Sequence, residues 1–187
     1  TATTEIYTLS LHDALPSPDR YNAILVDIDD FKQINEKYGY DSGNKVLELF
    51  AGEMMDFLSE KAKIIRTGGA EFLVITSKEE ADFEGQVQKL FRHLTLKRYL
   101  LENEVISLSL SMSAIVIPEG SDSIRNIERL LDEKLLEVKS RGKNGLGIIG
   151  TVSADEIKYK DLDYIKEALE EERLLCLYQP ILDTKTK

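Results

Sequence analysis

Lys63-Ile64-Ile65-Arg66-Thr67-Gly68-Gly69-Ala70-Glu71-Phe72-Leu73-Val74-Ile75 sets a Gly-Gly pair between two apolar, β-branched runs. Such a pair predicts a β-hairpin, because a two-residue primed turn needs positive φ, which glycine adopts freely. The stretch reads two ways. It is a tight turn and nothing more, or its bare backbone lets a ligand phosphate approach.

Working outward, Val46, Phe50, Met54 and Leu58, widened by Leu47 and Phe57, predict an amphipathic helix from about Asn44 to Leu58. Tyr38-Gly39-Tyr40-Asp41-Ser42-Gly43 before it reads as a turn. Ala23-Ile24-Leu25-Val26 is a continuous apolar run, hence a buried central strand. It ends in Asp27-Ile28-Asp29, where α/β folds place ligands, and alternation puts the two aspartates on one face. Asp30 would cap the helix that follows. Thr4 to Leu15 reads as a short helix stopped by Pro16-Ser17-Pro18.

Downstream of the hairpin, Glu79 to Leu94 is a weaker amphipathic helix. Ile106, Leu108, Leu110 and Met112 alternate with Ser107, Ser109, Ser111 and Ser113, which predicts one strand with a buried face and a small polar face. Asp122 would cap a helix reaching Ser140, and Arg141-Gly142-Lys143-Asn144-Gly145 ends it with glycines where a helix C-cap wants them. Leu146 to Ile149 is a last strand. The element order implies an α/β (α+β) domain, a central mixed sheet with helices packed on it, over residues 1–150. Residues 151–172 read as a linker running into a helix, and Leu174-Leu175-Cys176-Leu177-Tyr178, within 173–187, as the first strand of something cut off.

The chain has 187 residues, 42% hydrophobic and 31% charged, with net charge -10. That suits one domain plus an extra segment. The acidic balance argues against nucleic acid or an anionic membrane as partner. No apolar run is long enough to span a bilayer, and no signal peptide is seen. The single cysteine excludes an internal disulfide and fits a reducing, cytoplasmic setting.

Four motifs in order carry a resemblance: Asp27-Ile28-Asp29-Asp30-Phe31-Lys32-Gln33-Ile34-Asn35, Tyr38-Gly39-Tyr40-Asp41-Ser42-Gly43-Asn44, the Gly68-Gly69-Ala70-Glu71-Phe72 hairpin, and Lys139-Ser140-Arg141-Gly142-Lys143-Asn144. Together they resemble the GGDEF family, the diguanylate cyclases, over nearly all of residues 4–150. The family's opening Leu-Thr-x-Leu-x-Asn-Arg motif is absent. The tail, from Ala168-Leu169 to Tyr178-Gln179-Pro180-Ile181, looks like the opening of an EAL phosphodiesterase domain. The resemblance implies a mostly antiparallel, nucleotide-cyclase-like sheet, and a fragment of a GGDEF–EAL protein.

A diguanylate cyclase joins two GTP molecules into cyclic di-GMP, with Mg²⁺ activating a hydroxyl and neutralising the triphosphates. By the family pattern the metal ligands are Asp27, the Ile28 carbonyl and an acid at position 70, which here is Ala70. Glu71 is retained, but on a strand its side chain faces the other way. Guanine readers are Asn35, intact, and position 44, where Asn44 stands for the family's aspartate. An amide offers one acceptor and also brings donors. Lys139 matches the phosphate lysine, and Lys143 replaces an arginine, losing the bidentate fork. Gly68, Gly69 and the first residues of the helix, Phe31 and Lys32, would cradle phosphates. The Arg-x-x-Asp inhibition motif is absent; its place holds Ser59-Glu60-Lys61-Ala62. Each residue also has a plainer reading: Asp27 and Asp29 as caps or exposed acids, Asn44 as a helix-start residue, the lysines as favourable charges at a helix C-terminus.

The expectation is a degenerate, catalytically inactive cyclase-like domain that regulates an attached EAL domain, through GTP binding with Mg²⁺ held weakly. The alternatives are a structural module, including a homodimer, and a weakly active cyclase.

Overall fold

The computed structural model describes residues 21–58, 62–77, 82–101, 104–117 and 124–150. The segment 4–15, Asp122, Ser59-Glu60-Lys61 and residues 151–187 lie outside the described residues.

The strands are β1 (Tyr21–Ile28), β2 (Lys63–Gly68), β3 (Glu71–Ser77), β4 (Arg98–Leu101), β5 (Glu104–Ser107), β6 (Leu110–Val116) and β7 (Gly145–Ile149). The helices are α1 (Phe31–Tyr38), α2 (Tyr40–Phe57), α3 (Phe83–Leu96) and α4 (Ile124–Ser140). Five strands form one sheet in the order β2-β3-β1-β6-β7, and β4 with β5 forms a separate two-stranded ribbon. β1 pairs antiparallel with β3 and β6, while β7 joins β6 in parallel. The expected α+β class with a mixed, mostly antiparallel sheet is what the chain forms.

The apolar run of β1 follows from its central position, because both faces are covered. Ile24, Val26 and Ile28 meet Val46, Phe50 and Met54 of α2 and Val87, Leu90 and Leu94 of α3. Ala23 and Leu25 meet Ile127, Leu131 and Leu135 of α4. Phe50 and Phe72 pack with ring centroids 5.4 Å apart, tying α2 to the start of β3. The amphipathic stripes of α2, α3 and α4 are therefore core, as the periodicity predicts.

Several local expectations are corrected. The tight turn is Gly69-Ala70 rather than Gly68-Gly69. Gly68 pairs with Glu71, a bulge between Arg66 and Gly68 shifts the register, and Gly69 alone of the two glycines is left-handed, at φ 52. Tyr38–Gly43 is no extended turn: Gly39, at φ 84, is the whole break, and α2 starts at Tyr40. Asp30 is left-handed at φ 54 and makes no capping hydrogen bond through its side chain. Asp82 instead caps α3, accepting from the Gly85 amide at 3.0 Å.

The serine-rich stretch is two strands in two sheets, broken at Leu108-Ser109. Within β6 its polar face is not open: Ser111 and Ser113 are 0% exposed, whereas Ser107 of β5 is exposed. Ser113 donates to the Leu131 carbonyl at 2.8 Å, so α4 covers that face through a hydroxyl. β4 has no counterpart in the sequence reading. At the end of α4 the left-handed residues are Gly142, Lys143 and Asn144, whereas Gly145 already begins β7.

Candidate functional site

β1 delivers its carboxyl end beside the hairpin tip, because the Ile28 amide donates to the Ala70 carbonyl at 3.2 Å. α1 then turns away, and a cleft of about 460 Å³ opens between them. Asp27, Ile28, Phe31, Lys32 and Asn35 line it, with Gly69 and Ala70 from the hairpin. Seven of the residues singled out from sequence thus surround one space. Asp30, Glu36 and Tyr40 line it as well and were missed as site residues. Tyr40 is 78% exposed, a large ring left in solvent at the cleft's edge. Its sequence signal was an aromatic beside a helix-breaking glycine, which reads as turn.

Asn44 does not line the cleft; it is exposed on the second turn of α2. Gly68 lies in β2, outside the lining. Asn35 is placed by Gly43: a Cβ there would sit 1.8 Å from the Asn35 Oδ1 and 3.3 Å from the Phe31 ring. The glycine is therefore what lets both side chains lie against α2.

Both lysines reach acids at the cleft. Lys139 Nζ is 2.9 Å from Asp27, and Lys143 Nζ is 2.6 Å from Asp30. Burial pushes the Asp27 carboxyl above its ordinary value; the Lys139 hydrogen bond and charge oppose that shift, while the charges of Glu71 and Asp29 reinforce it. The Lys143 ammonium is raised, first by its hydrogen bond to Asp30.

Glu71 is the cross-strand partner of Asp27. Directly opposed residues share a face, so Glu71 lies on the α4 side with Asp27, while Ala70 packs toward the core on the other side. The expectation that Glu71 turns away from position 70 stands. Its placement next to Asp27 was missed, since strand pairing is invisible in one sequence. The Glu71 carboxylate accepts from the Thr67 hydroxyl at 2.5 Å.

Asp29, 6% exposed, is neither cap nor surface acid. It accepts from Ser109 at 2.6 Å, Ser111 at 2.7 Å and the Asn144 amide at 3.0 Å. A left-handed non-glycine residue costs about 1 kcal/mol. The Asn144 bond to Asp29 and the Lys143 bond to Asp30 offset that strain and hold the loop after α4 against the cleft.

Among the described residues no group of three His, Cys, Asp or Glu side chains converges to hold a metal. Mg²⁺ takes one or two carboxylates plus phosphates and water. The carboxylates lining the cleft, Asp27, Asp30 and Glu36, are already paired with Lys139, Lys143 and Lys32 in turn, and Ala70 brings no side-chain oxygen. The donor set does not fit a well-held Mg²⁺.

The family described as "Diguanylate cyclase, GGDEF domain" matches residues 3–145. The chain is 29% identical over 141 residues to the probable diguanylate cyclase DgcF of Escherichia coli O157:H7, covering 72% of this chain and 29% of that protein. It is 25% identical over 174 residues to the bifunctional diguanylate cyclase/cyclic di-GMP phosphodiesterase MucR of Pseudomonas aeruginosa, covering 91% of this chain and 25% of MucR. The chain thus spans roughly a quarter of these relatives. Among solved structures, the diguanylate cyclase SiaD of Pseudomonas aeruginosa, in complex with its activator SiaC, superposes with TM-score 0.64 at 25% identity, over 70% of this chain and 50% of that one. With the fold, the four motifs and the family match in agreement, the chain belongs to the GGDEF family, the diguanylate cyclase domains of cyclic di-GMP signalling.

Proposed function

We propose that this domain is a non-cyclising member of its family that keeps a nucleotide cleft and regulates an attached EAL phosphodiesterase. One observation carries the reading: the cleft holds Ala70 where the family pattern has an acid, and Asp27, on the same cleft, is held by Lys139 at 2.9 Å. Phosphoryl transfer depends on positioning and charge neutralisation, so this loss falls on the step itself. The change from arginine to Lys143, bonded to Asp30, removes a second anion-binding fork.

Retention of a cleft with Asn35, Phe31, Lys32 and Gly69 on its walls supports nucleotide binding rather than a purely structural role. GTP is the proposed ligand, with Mg²⁺ weakly held through Asp27 and the Ile28 carbonyl. The MucR alignment runs over 174 residues, beyond the family match, which supports the EAL-like reading of the tail. The second reading, a weak cyclase, is favoured by one feature: Glu71 stands opposite Asp27 and its charge is felt there.

Titration calorimetry with GTP and Mg²⁺, run beside chromatographic analysis for cyclic di-GMP, tests the proposal. The expected result is GTP binding without product. Product at an ordinary cyclase rate would sink the non-cyclising reading, and silence in the calorimeter would leave the structural-module reading in its place.

A further inference from the structure

Away from the cleft, toward the start of β1, a cavity of about 300 Å³ lies between the end of α2, the first turns of α3 and the sheet. Phe57, Phe83, Val87 and Leu90 supply much of its wall, and Thr76 and Gln86 are the polar lining among the described residues. Among the described residues it shares no lining residue with the nucleotide cleft. The volume sits at the lower edge of small-molecule sites, which begin at about 300 Å³.

A buried polar pair lies at this space: Thr76 lines it, and Asn22, outside the lining, stands opposite Thr76 in the ladder. Thr76 is 5% exposed, and its hydroxyl has no hydrogen-bond partner among the described residues. Asn22 stands directly across the ladder and is 0% exposed, with both amide atoms unpaired among the described residues. Opposed residues share a face, so the amide and the hydroxyl lie side by side on the α2/α3 side of the sheet. Each buried polar group left without a partner costs about 1–3 kcal/mol. They do not satisfy one another: the amide brings two donors and an acceptor, the hydroxyl one donor. A single mutual bond leaves amide donors over.

We propose that this cavity is a binding site for a small uncharged molecule with an apolar body, whose carbonyl or amide head is seated on Thr76 and Gln86. The wall is apolar, and no acid or cation is among its described lining residues, which disfavours a charged ligand. The proposal stands apart from the reading of the nucleotide cleft.

Benzamide, a ring bearing a neutral amide, is the probe, added at millimolar concentration to the 187-residue chain. At tenfold excess over its dissociation constant, thermal unfolding should move up by about 4 °C, and the methyl NMR signals of Val87 and Leu90 should shift. Thr76→Val, which keeps the shape and removes the hydroxyl, should weaken binding about tenfold. Gln86→Trp, at a half-buried rim position, should block entry, and it carries the test if Thr76→Val does not fold. No rise in unfolding temperature with wild type overturns the proposal. So does binding left intact by both variants, because benzamide would then sit elsewhere. Thr76→Val raising stability with no benzamide bound in wild type also overturns it, showing the pair to be a site for water only.

Discussion

Ala70→Asp tests the metal argument most directly. The backbone should accept it, since Ala70 is not among the left-handed residues and its carbonyl remains bonded to the Ile28 amide. The charge is what changes. Asp27 and Asp30 each have a lysine, and Lys32, also on the lining, pairs with Glu36 at 3.4 Å. A new carboxylate at 70 finds no free lysine on the described lining, and the guanidinium at the hairpin tip, Arg66, is already held by the Gly69 carbonyl. Two like charges about 6 Å apart at an effective dielectric of about 20 repel by about 3 kcal/mol. The cleft is open to solvent, so the expected loss of stability without metal is nearer 1 kcal/mol. A divalent cation reverses the sign, because Asp27 and the new acid would share it. Losing a residue that supports a metal ligand costs about 10–100-fold in affinity. The reversion should tighten Mg²⁺-dependent GTP binding by at least that factor, about 1.4–2.8 kcal/mol. Calorimetry with and without Mg²⁺, beside thermal melts, reads both effects. An unchanged Mg²⁺-dependent affinity would refute the reasoning, because the hairpin tip would then not face a metal. Cyclase activity should stay near zero in the single variant, since Asn44 and Lys143 also depart from the family pattern. Ordinary synthesis from Ala70→Asp alone would show that these departures are harmless.

The remaining expectations concern the residues around the cleft. Gly43→Ala drives a Cβ into Asn35 Oδ1, at 1.8 Å in the unrelaxed backbone. It should displace Asn35 and weaken GTP binding about tenfold, the worth of one hydrogen bond; unchanged affinity would remove Asn35 from the site. Lys139→Met removes the hydrogen bond and charge that hold the raised Asp27 carboxyl down, so its NMR-titrated pKa should climb further. A raised folded-state carboxyl binds its proton more tightly than the unfolded chain does. Its effect on stability is therefore most favourable below the ordinary value of 3.8 and is lost as pH rises through the folded value, over a wider window in Lys139→Met. An unmoved Asp27 titration would mean that the ion pair does not form in solution. Leu110→Ala, at a 0% exposed core position, should cost about 3 kcal/mol in denaturant unfolding without altering GTP affinity per folded molecule.

Much of this domain was legible in one chain because its elements repeat apolar residues at their own periods. The stripe of α2, the doubly covered β1 and the helix over residues 124–140 could be read from spacing, since burial of one face is a local demand on residue order. The ordered motifs marked the cleft wall from Asp27 to Asn35 and the hairpin tip, and Ala70 stood out as a missing oxygen. What the sequence could not hold was pairing across distance. A serine beside an apolar neighbour reads as solvent-facing, yet Ser111 is buried because Asp29, brought there by the β1–β6 ladder, gives its hydroxyl an acceptor. Asp30 reads as a cap, but in the left-handed conformation its carboxylate meets Lys143, 113 residues further along the chain. Asn44 reads as part of the site, and the early start of α2 at Tyr40 leaves it exposed outside the cleft lining. Glu71 stands beside Asp27 only because strand register, set by the whole sheet, puts them face to face. Local order in the chain chose the elements; long-range hydrogen bonding and the compensation of buried charge decided which side chains share the cleft.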